Sequence, residues 1–413
     1  MNHLVRISIA LIALGSSIGA KSQDLNGSWK GSLAVGPQKL TIVFQLDKAK
    51  QTATMSVPEQ GASGIPMTVN VLTEDSLNVS LAKLGINYAG KLTAGKIHGT
   101  FQQMTFKAPM DMEAGEVTVN RPQEPKPPYP YKTRDVSFDN PAAHATFAGT
   151  LTYPTTYKAG KRVPVVLMVT GSGAQNRDEE LFGHKCFLVI ADYLARHGIA
   201  SLRYDDRGTA KSTGVYKGST TKDFADDARC GLSYLKSLKE FSRVGIMGHS
   251  EGGAIAFMLG AERKPDFIVS LAGPACKLDT LMMTQLNGLG RAQGLQKDMV
   301  QNVADARKFM LAQDSSVWTR YFLDMDLTPY VRAVKCPVLA VGGDKDLNVP
   351  TKLNVPALQN NLRKNKKNMI KTYPGLGHTF QPMATGNPTE AFNVEETFSP
   401  EVLADICTWI NKL

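Results

Sequence analysis

A chain of 413 residues with 42% hydrophobic and 20% charged residues has a globular composition and is long enough for two domains rather than one. Its net charge of +10 is diffuse: residues 24–120 balance, and the one dense basic run, Arg363-Lys364-Asn365-Lys366-Lys367, reads as a solvated helix end with no nucleic-acid motif beside it. Five cysteines without CxxC spacing argue against a disulfide-stapled scaffold and against a zinc site, although one disulfide stays open.

The chain begins with Arg6, an apolar run over 7–14 and then small residues, and Ala20-Lys21-Ser22 fits a small-x-small cleavage rule. Residues 1–22 therefore read as a signal peptide, with Gln23 as the first mature residue. The protein is expected to be exported to the periplasm or beyond, and the run is too short to leave a membrane span. Residues 24–120 follow as short β-rich segments, such as 40–46 and 67–72, punctuated by glycines at turn spacing. Gly27-Ser28-Trp29-Lys30-Gly31 opens the set, and a small all-β domain, barrel or sandwich, is the expectation. A proline-rich stretch over 121–134 reads as an extended linker.

From about residue 135 strands alternate with helical stretches, which predicts an α/β domain with a mostly parallel sheet and helices on both faces. The apolar strand 165–169 runs into Thr170-Gly171-Ser172-Gly173, where two glycines let backbone N–H groups turn inward. A strand over 200–204 and a helix over 223–238, apolar at Phe224, Ala228, Leu232 and Leu235, come next. Val244-Gly245-Ile246-Met247 then leads into Gly248-His249-Ser250-Glu251-Gly252 and a helix-like run. A serine flanked by glycines at such a strand-to-helix turn is lifted clear of the sheet, and the N–H groups of the helix start face it.

After a strand over 267–271, the alternation breaks between about 276 and 333. Stripes at Leu278, Leu281, Met282, Leu286 and Leu289, at Val300, Val303, Phe309 and Met310, and then Trp318, Tyr321 and Phe322 predict a helical insertion. The buried-type strand 337–343 is followed by two competing carboxylates, Asp344 and Asp346. Residues 369–373 form another strand before Pro374-Gly375-Leu376-Gly377-His378, and 401–413 closes the chain as a helix.

These motifs resemble those of the α/β-hydrolase superfamily. More narrowly the chain is similar to secreted bacterial esterases of the serine aminopeptidase-like group that carry a β-rich N-terminal domain. The narrower likeness rests on Gly171-Ser172-Gly173-Ala174-Gln175-Asn176-Arg177-Asp178-Glu179, on Arg203-Tyr204-Asp205-Asp206-Arg207-Gly208, on Gly248 to Gly253, and on Gly377-His378 with Phe380-Gln381. It covers residues 135–413, and reaches 24–120 more loosely through Trp29 and the glycine spacing. The resemblance implies an order of serine, acid, histidine along the chain, and of 7 histidines only His378 follows Ser250. It favours Asp346 as the acid through the Asp-x-x-Val-Pro spacing, leaving Asp344 a structural role. It assigns the oxyanion hole to the N–H groups of Glu251 and Ser172, makes the insertion a short lid, and treats the Asp-Arg-Gly loop as an internally ion-paired turn.

The implied activity is hydrolysis of carboxylic esters through an acyl-enzyme on Ser250, with no metal or organic cofactor. The substrate would be a small-molecule or polymer-linked acyl ester. Two other readings stay open: a serine peptidase or amidase using the same triad, with Glu251, Glu179 or Glu180 holding a free amine, and an envelope protein that binds a polymer or lipid with hydrolysis secondary.

Overall fold

The computed structural model describes residues 24–35, 38–60, 62–116 and 120–413; the expected signal peptide lies outside them. The described chain forms two compact units, 24–57 with 62–116 and 58–60 with 120–413. All five cysteines are free, with Cys186, Cys276 and Cys407 buried. Among the described residues no helix is long and apolar enough to cross a membrane.

The first unit holds nine antiparallel strands: β1 (Gly27–Val35), β2 (Gln38–Asp47), β3 (Thr52–Val57), β4 (Ala62–Leu72), β5 (Ser76–Leu81), β6 (Ile86–Thr93), β7 (Lys96–Gln103), β8 (Phe106–Pro109) and β9 (Met112–Ala114). They run in the order β6-β5-β4-β3-β2-β1-β9-β7-β8, and an extra β6–β7 pairing closes them into a barrel. Closure removes the exposed sheet edges that an open arrangement would leave. Alternation sets the inside: β1 buries Trp29 and Leu33 while Ser32 and Ala34 face out. Trp29, Phe44, Leu46, Val79, Tyr88 and Ile97 fill the interior. The two buried polar tips find partners, Trp29 Nε1 donating to the Leu25 carbonyl at 3.3 Å and the Tyr88 hydroxyl to that of Met110 at 3.0 Å.

The second unit is built on strands β10 (Thr133–Asn140), β11 (Ala145–Thr152), β12 (Val163–Val169), the short hairpin β13 (Glu180–Leu181) and β14 (His184–Lys185), β15 (Ala200–Tyr204), β16 (Phe241–His249), β17 (Ile268–Leu271), β18 (Val338–Gly343) and β19 (Met369–Tyr373). Its helices are α1 (Cys186–Arg196), α2 (Thr221–Ser237), α3 (Glu251–Ala261), α4 (Leu278–Ala292), α5 (Val303–Gln313), α6 (Val317–Asp324), α7 (Thr328–Ala333), α8 (Thr351–Asn361) and α9 (Pro400–Asn411). The sheet order is β10-β11-β15-β12-β16-β17-β18-β19, parallel from β15 onward after an antiparallel start.

The apolar runs of β12 and β18 are needed because the sheet is covered on both faces. Val165, Leu167 and Val169 join one core with α2 and α3, while Val166 and Met168 join the other with α1 and α9. β18 splits likewise, Val338 and Ala340 to the first side, Leu339 and Val341 to the second.

The proline-rich stretch expected as a linker is tied to this unit. The Arg121 guanidinium donates to the carbonyls of Phe182, Gly183, Phe392 and Val394, and the Gln123 amide pairs with Thr397 and Phe398. The helix expected over 223–238 starts earlier, at Thr221, because Thr220 and Asp223 close a reciprocal capping box. In the lid, helix α4 is rotated from the stripe expected of it. Leu278, Leu281 and Met282 are buried, but Leu286 and Leu289 are only half-buried. Buried Asn287 takes that face instead, because its amide exchanges two hydrogen bonds with the Val300 backbone, at 2.9 and 3.0 Å.

The Asp-Arg-Gly loop pairs across elements rather than within its own turn. Arg207 grips Asp227 of α2 through Nε at 2.6 Å and Nη2 at 2.7 Å, and Asp227 also accepts from Asn140 of β10 at 2.7 Å. Both members of the ion pair are buried. Removing one partner strands the other charge, so Asp227→Ala should cost about 3–5 kcal/mol of stability in urea unfolding. Lys222→Ala, at the exposed Lys222–Asp226 pair, should cost less than about 1 kcal/mol.

Candidate active site

Strand β16 ends at the centre of the sheet, and the chain reverses into α3 through Ser250. Its backbone, at φ 51° and ψ −117°, lies where side-chain-bearing residues rarely sit. The turn holds because of its flanks. A Cβ on Gly248 would stand 2.0 Å from the Gly252 carbonyl oxygen, and one on Gly252 would stand 2.1 Å from that of Val169. No side chain fits at either position, so the sequence needs glycine two residues before and two after the serine. The Ser250 N–H is anchored to the Leu271 carbonyl at 2.9 Å, and α3 is buried along nearly its whole length. The serine is thereby fixed on a rigid base.

The candidate acid lies on the loop after β18 and the candidate base on the loop after β19. Asp346 is buried, and its Oδ1 accepts the N–H groups of Asn348 and Val349, each at 2.8 Å. Its Oδ2 lies 2.9 Å from His378 Nδ1. A carboxylate already accepting two backbone donors is acceptor-only, so Nδ1 carries the proton and Nε2 keeps a lone pair for a base. Asp344 is exposed and accepts from the Gly375 N–H at 2.7 Å, holding the turn that leads to His378.

Carboxylates also hold the loop after β12. Asp206 accepts from the Thr170 hydroxyl and, at 2.9 Å, from the Gln175 N–H. Glu179 accepts the Gly171 N–H at 2.8 Å, and Asp205 binds Arg177 through its backbone and its guanidinium. This leaves Ser172 at the cavity rim. Among the described residues neither the Ser172 nor the Glu251 N–H meets a protein acceptor, so both are free to receive a developing negative charge.

His249, inside the elbow, forms a second histidine contact. Its Nε2 donates to the His378 carbonyl at 3.1 Å, and its Nδ1 faces Glu179 Oε1 at 2.9 Å. Both neighbours offer oxygens to the ring. Burial alone would lower the His249 pKa, but Glu179, the His378 carbonyl and Asp346 together outweigh it and the net shift is upward. This contact ties the backbone of His378 to the end of β16.

Ser250, His378, Ser172 and Glu251 all line one cavity of about 320 Å³, with Asp346 behind His378. The lid supplies Leu281, Met282, Met310, Trp318 and Phe322 to its wall, the last two rings stacked at 4.9 Å; Tyr321 and Phe309 are not among the wall residues. Among the described residues that line it there is no lysine, arginine or aspartate, and Glu251 is the one carboxylate. The sequence assigned no role to His249; it placed Trp318 only among the apolar residues of the lid, Asp206 only in an ion-paired turn, and Glu179 only in a family motif and as an amine holder. His249 and Glu179 sit inside quoted motifs, yet nothing local reveals that they pair across 70 residues. Among the described residues no group of three or more His, Cys, Asp and Glu side chains could hold a metal ion.

The strand order, the two covered faces and the strained serine between β16 and α3 define an α/β-hydrolase domain, preceded in the chain by an antiparallel β-barrel. Comparison with known proteins places the likeness more narrowly. Residues 184–322 match the serine aminopeptidase (S33) family. Esterase EstD of Thermotoga maritima is 29% identical over 218 residues, 49% of this chain and 51% of that protein. Human dipeptidyl peptidase 8 is 33% identical over 136 residues, 31% of this chain and 15% of that protein. The chain thus spans about half the length, or less, of these curated relatives. Among solved structures, the Pyrococcus furiosus esterase Pf2001 aligns at a TM-score of 0.47 and 16% identity, covering 72% of this chain and 99% of that one.

Burial pushes the Asp206 carboxyl up to about 8, with the Glu179 and Glu251 carboxylates adding to the shift. An acid whose folded pKa is raised holds its proton in the native state after the unfolded chain has lost it. Its contribution is therefore complete below about pH 4 and is lost as pH rises through about 8. The raised His249 acts with the same sign above its unfolded value of about 6.5. The melting temperature of the wild type should fall between about pH 5 and pH 8 relative to Asp206→Asn, which cannot ionise, and scans across that range will show the gap widening.

Proposed function

We propose that this chain is a serine hydrolase that cleaves carboxylic esters through an acyl-enzyme. One observation carries the reading: a buried, doubly hydrogen-bonded Asp346 lies 2.9 Å from His378 Nδ1, and His378 shares a cavity with Ser250 on its strained turn. In this mechanism His378 Nε2 takes the Ser250 proton as Oγ attacks the acyl carbonyl. The Ser172 and Glu251 N–H groups receive the oxyanion. His378 returns the proton to the leaving alcohol, then activates water to release the acid. The likeness to EstD, an esterase, supports the same chemistry.

The likeness to dipeptidyl peptidase 8 raises a peptidase reading, which would need a free carboxylate to hold an ammonium group. The three acids available for that task are unsuited to it. Glu179 is paired with His249, Glu251 accepts from Thr221 and Trp318, and Glu180 is exposed and is not among the cavity-lining residues. Burial moreover raises the Glu251 pKa, which favours its neutral form. An apolar wall without lysine or arginine fits an uncharged acyl group. Export of the mature chain remains part of this proposal, resting on the composition of residues 1–22.

On p-nitrophenyl esters Ser250→Ala and His378→Ala should each lower kcat by about 10⁴-fold or more while the circular dichroism spectrum is kept. Asp346→Asn should cost a comparable factor, and Asp344→Asn less than about tenfold. A paired panel of esters and aminoacyl amides should show turnover of esters; faster turnover of the amides would overturn the ester assignment.

A further inference from the structure

The residue after the nucleophile is expected to contribute only its N–H, yet its side chain is a buried carboxylate with no part in the mechanism above. Glu251 Oε1 accepts the Thr221 hydroxyl at 2.5 Å and the Trp318 indole N–H at 2.9 Å. Thr221 begins α2, Trp318 belongs to lid helix α6, and Glu251 itself begins α3. One group thus bonds both the neighbouring helix and the lid from the first residue of the elbow helix.

Such a junction has a chemical cost. A carboxyl group out of water, ionised or neutral, needs hydrogen-bond partners to offset its desolvation, and leaving one of them unmade is expensive. An apolar residue would fill this position more cheaply, because the rest of α3 is apolar and packed on all sides. The indole contributes the one donor that comes from the lid. Without a carboxylate beneath it, the Trp318 ring, stacked on Phe322, would have no directional reason to sit in one place on the cavity wall.

We propose that the Glu251 side chain is a positioning residue for the hydrolytic site: it seats the lid through Trp318 and, through Thr221, anchors the start of α3 whose first N–H faces the oxyanion. This rests on the ester-hydrolase reading. The lid contact governs where the acyl group lies, and the anchored start of α3 governs transition-state stabilisation, so the two are separable in kinetics.

The experiment is a double-mutant cycle with Glu251→Leu and Trp318→Phe, with Glu251→Gln as the conservative variant, assayed on p-nitrophenyl acetate and p-nitrophenyl octanoate. Trp318→Phe keeps an aromatic ring but loses the donor. It should raise KM for the octanoate about fivefold and leave kcat within about twofold. Glu251→Leu should raise that KM similarly and also lower kcat on both esters about tenfold or more. In the Glu251→Leu background, Trp318→Phe should add nothing further to KM, whereas Glu251→Gln, which restores an acceptor oxygen, should recover most of it.

Multiplying KM effects in the double variant, or a Glu251→Leu enzyme whose kcat is intact, would overturn the proposal. Should Glu251→Leu fail to fold, Trp318→Phe decides alone: an octanoate KM unchanged within about twofold sinks the lid contact. A wild type that hydrolyses neither ester and is not labelled by a fluorophosphonate overturns the functional reading itself, and this inference with it.

Discussion

Everything in the site depends on one steric constraint, the close approach of three backbones where β16 turns into α3. Gly248 lies against Gly252, and Gly252 against the end of β12, with no room for a Cβ at either. Packing this tight forces the serine into its strained conformation and brings the loop after β12 next to the start of α3. The two N–H groups of Ser172 and Glu251 without a protein acceptor among the described residues belong to those two segments. A sheet covered on both faces supplies the rigidity the strain requires, since the alternate residues of β12 and β18 are locked into opposite cores.

Around this point the structure uses carboxylates in place of regular secondary structure. Asp206, Glu179 and Asp205 hold the N–H groups of Gln175, Gly171 and Arg177 in the loop after β12, and Asp346 and Asp344 hold N–H groups in the loops after β18 and β19. Buried backbone donors in irregular segments must find acceptors, and a carboxylate can satisfy two or three at once. The consequence is an unusual density of acid beside the cavity, and it couples the groups electrostatically. Burial raises the Glu251 carboxyl, and burial together with the nearby Glu179 and Glu251 carboxylates raises that of Asp206.

Much of this was legible in the sequence because it is local. The glycine spacing around Ser250, the apolar strand before it, the single histidine downstream and the turn chemistry after β18 are all readable over a few residues. The alternation that separates a covered parallel sheet from the β-rich N-terminal part is equally local. What could not be read is long-range pairing between polar groups. Glu179 with His249, Arg207 with Asp227, and Glu251 with Trp318 join residues far apart in the chain, and each residue alone looks like an ordinary surface charge or core aromatic. Helix α4 shows the same limit: Leu286 and Leu289 fit an apolar stripe, but Asn287 takes the buried face because its partner is the backbone of Val300.

The bond from His249 to the His378 carbonyl has a wider meaning for how such a chain can change. It joins the end of β16, next to Ser250, to the loop that carries His378, so the floor of the cavity is tied together across the sheet. The roof, helices α4 to α6, is attached mainly by apolar packing. Replacement of roof residues can therefore reshape the cavity wall without disturbing the floor. The bottom and the wall of the cavity thus belong to parts of the chain that can diversify at different rates, with the Trp318–Glu251 bond as the one directed polar tie from α6 to α3 described above.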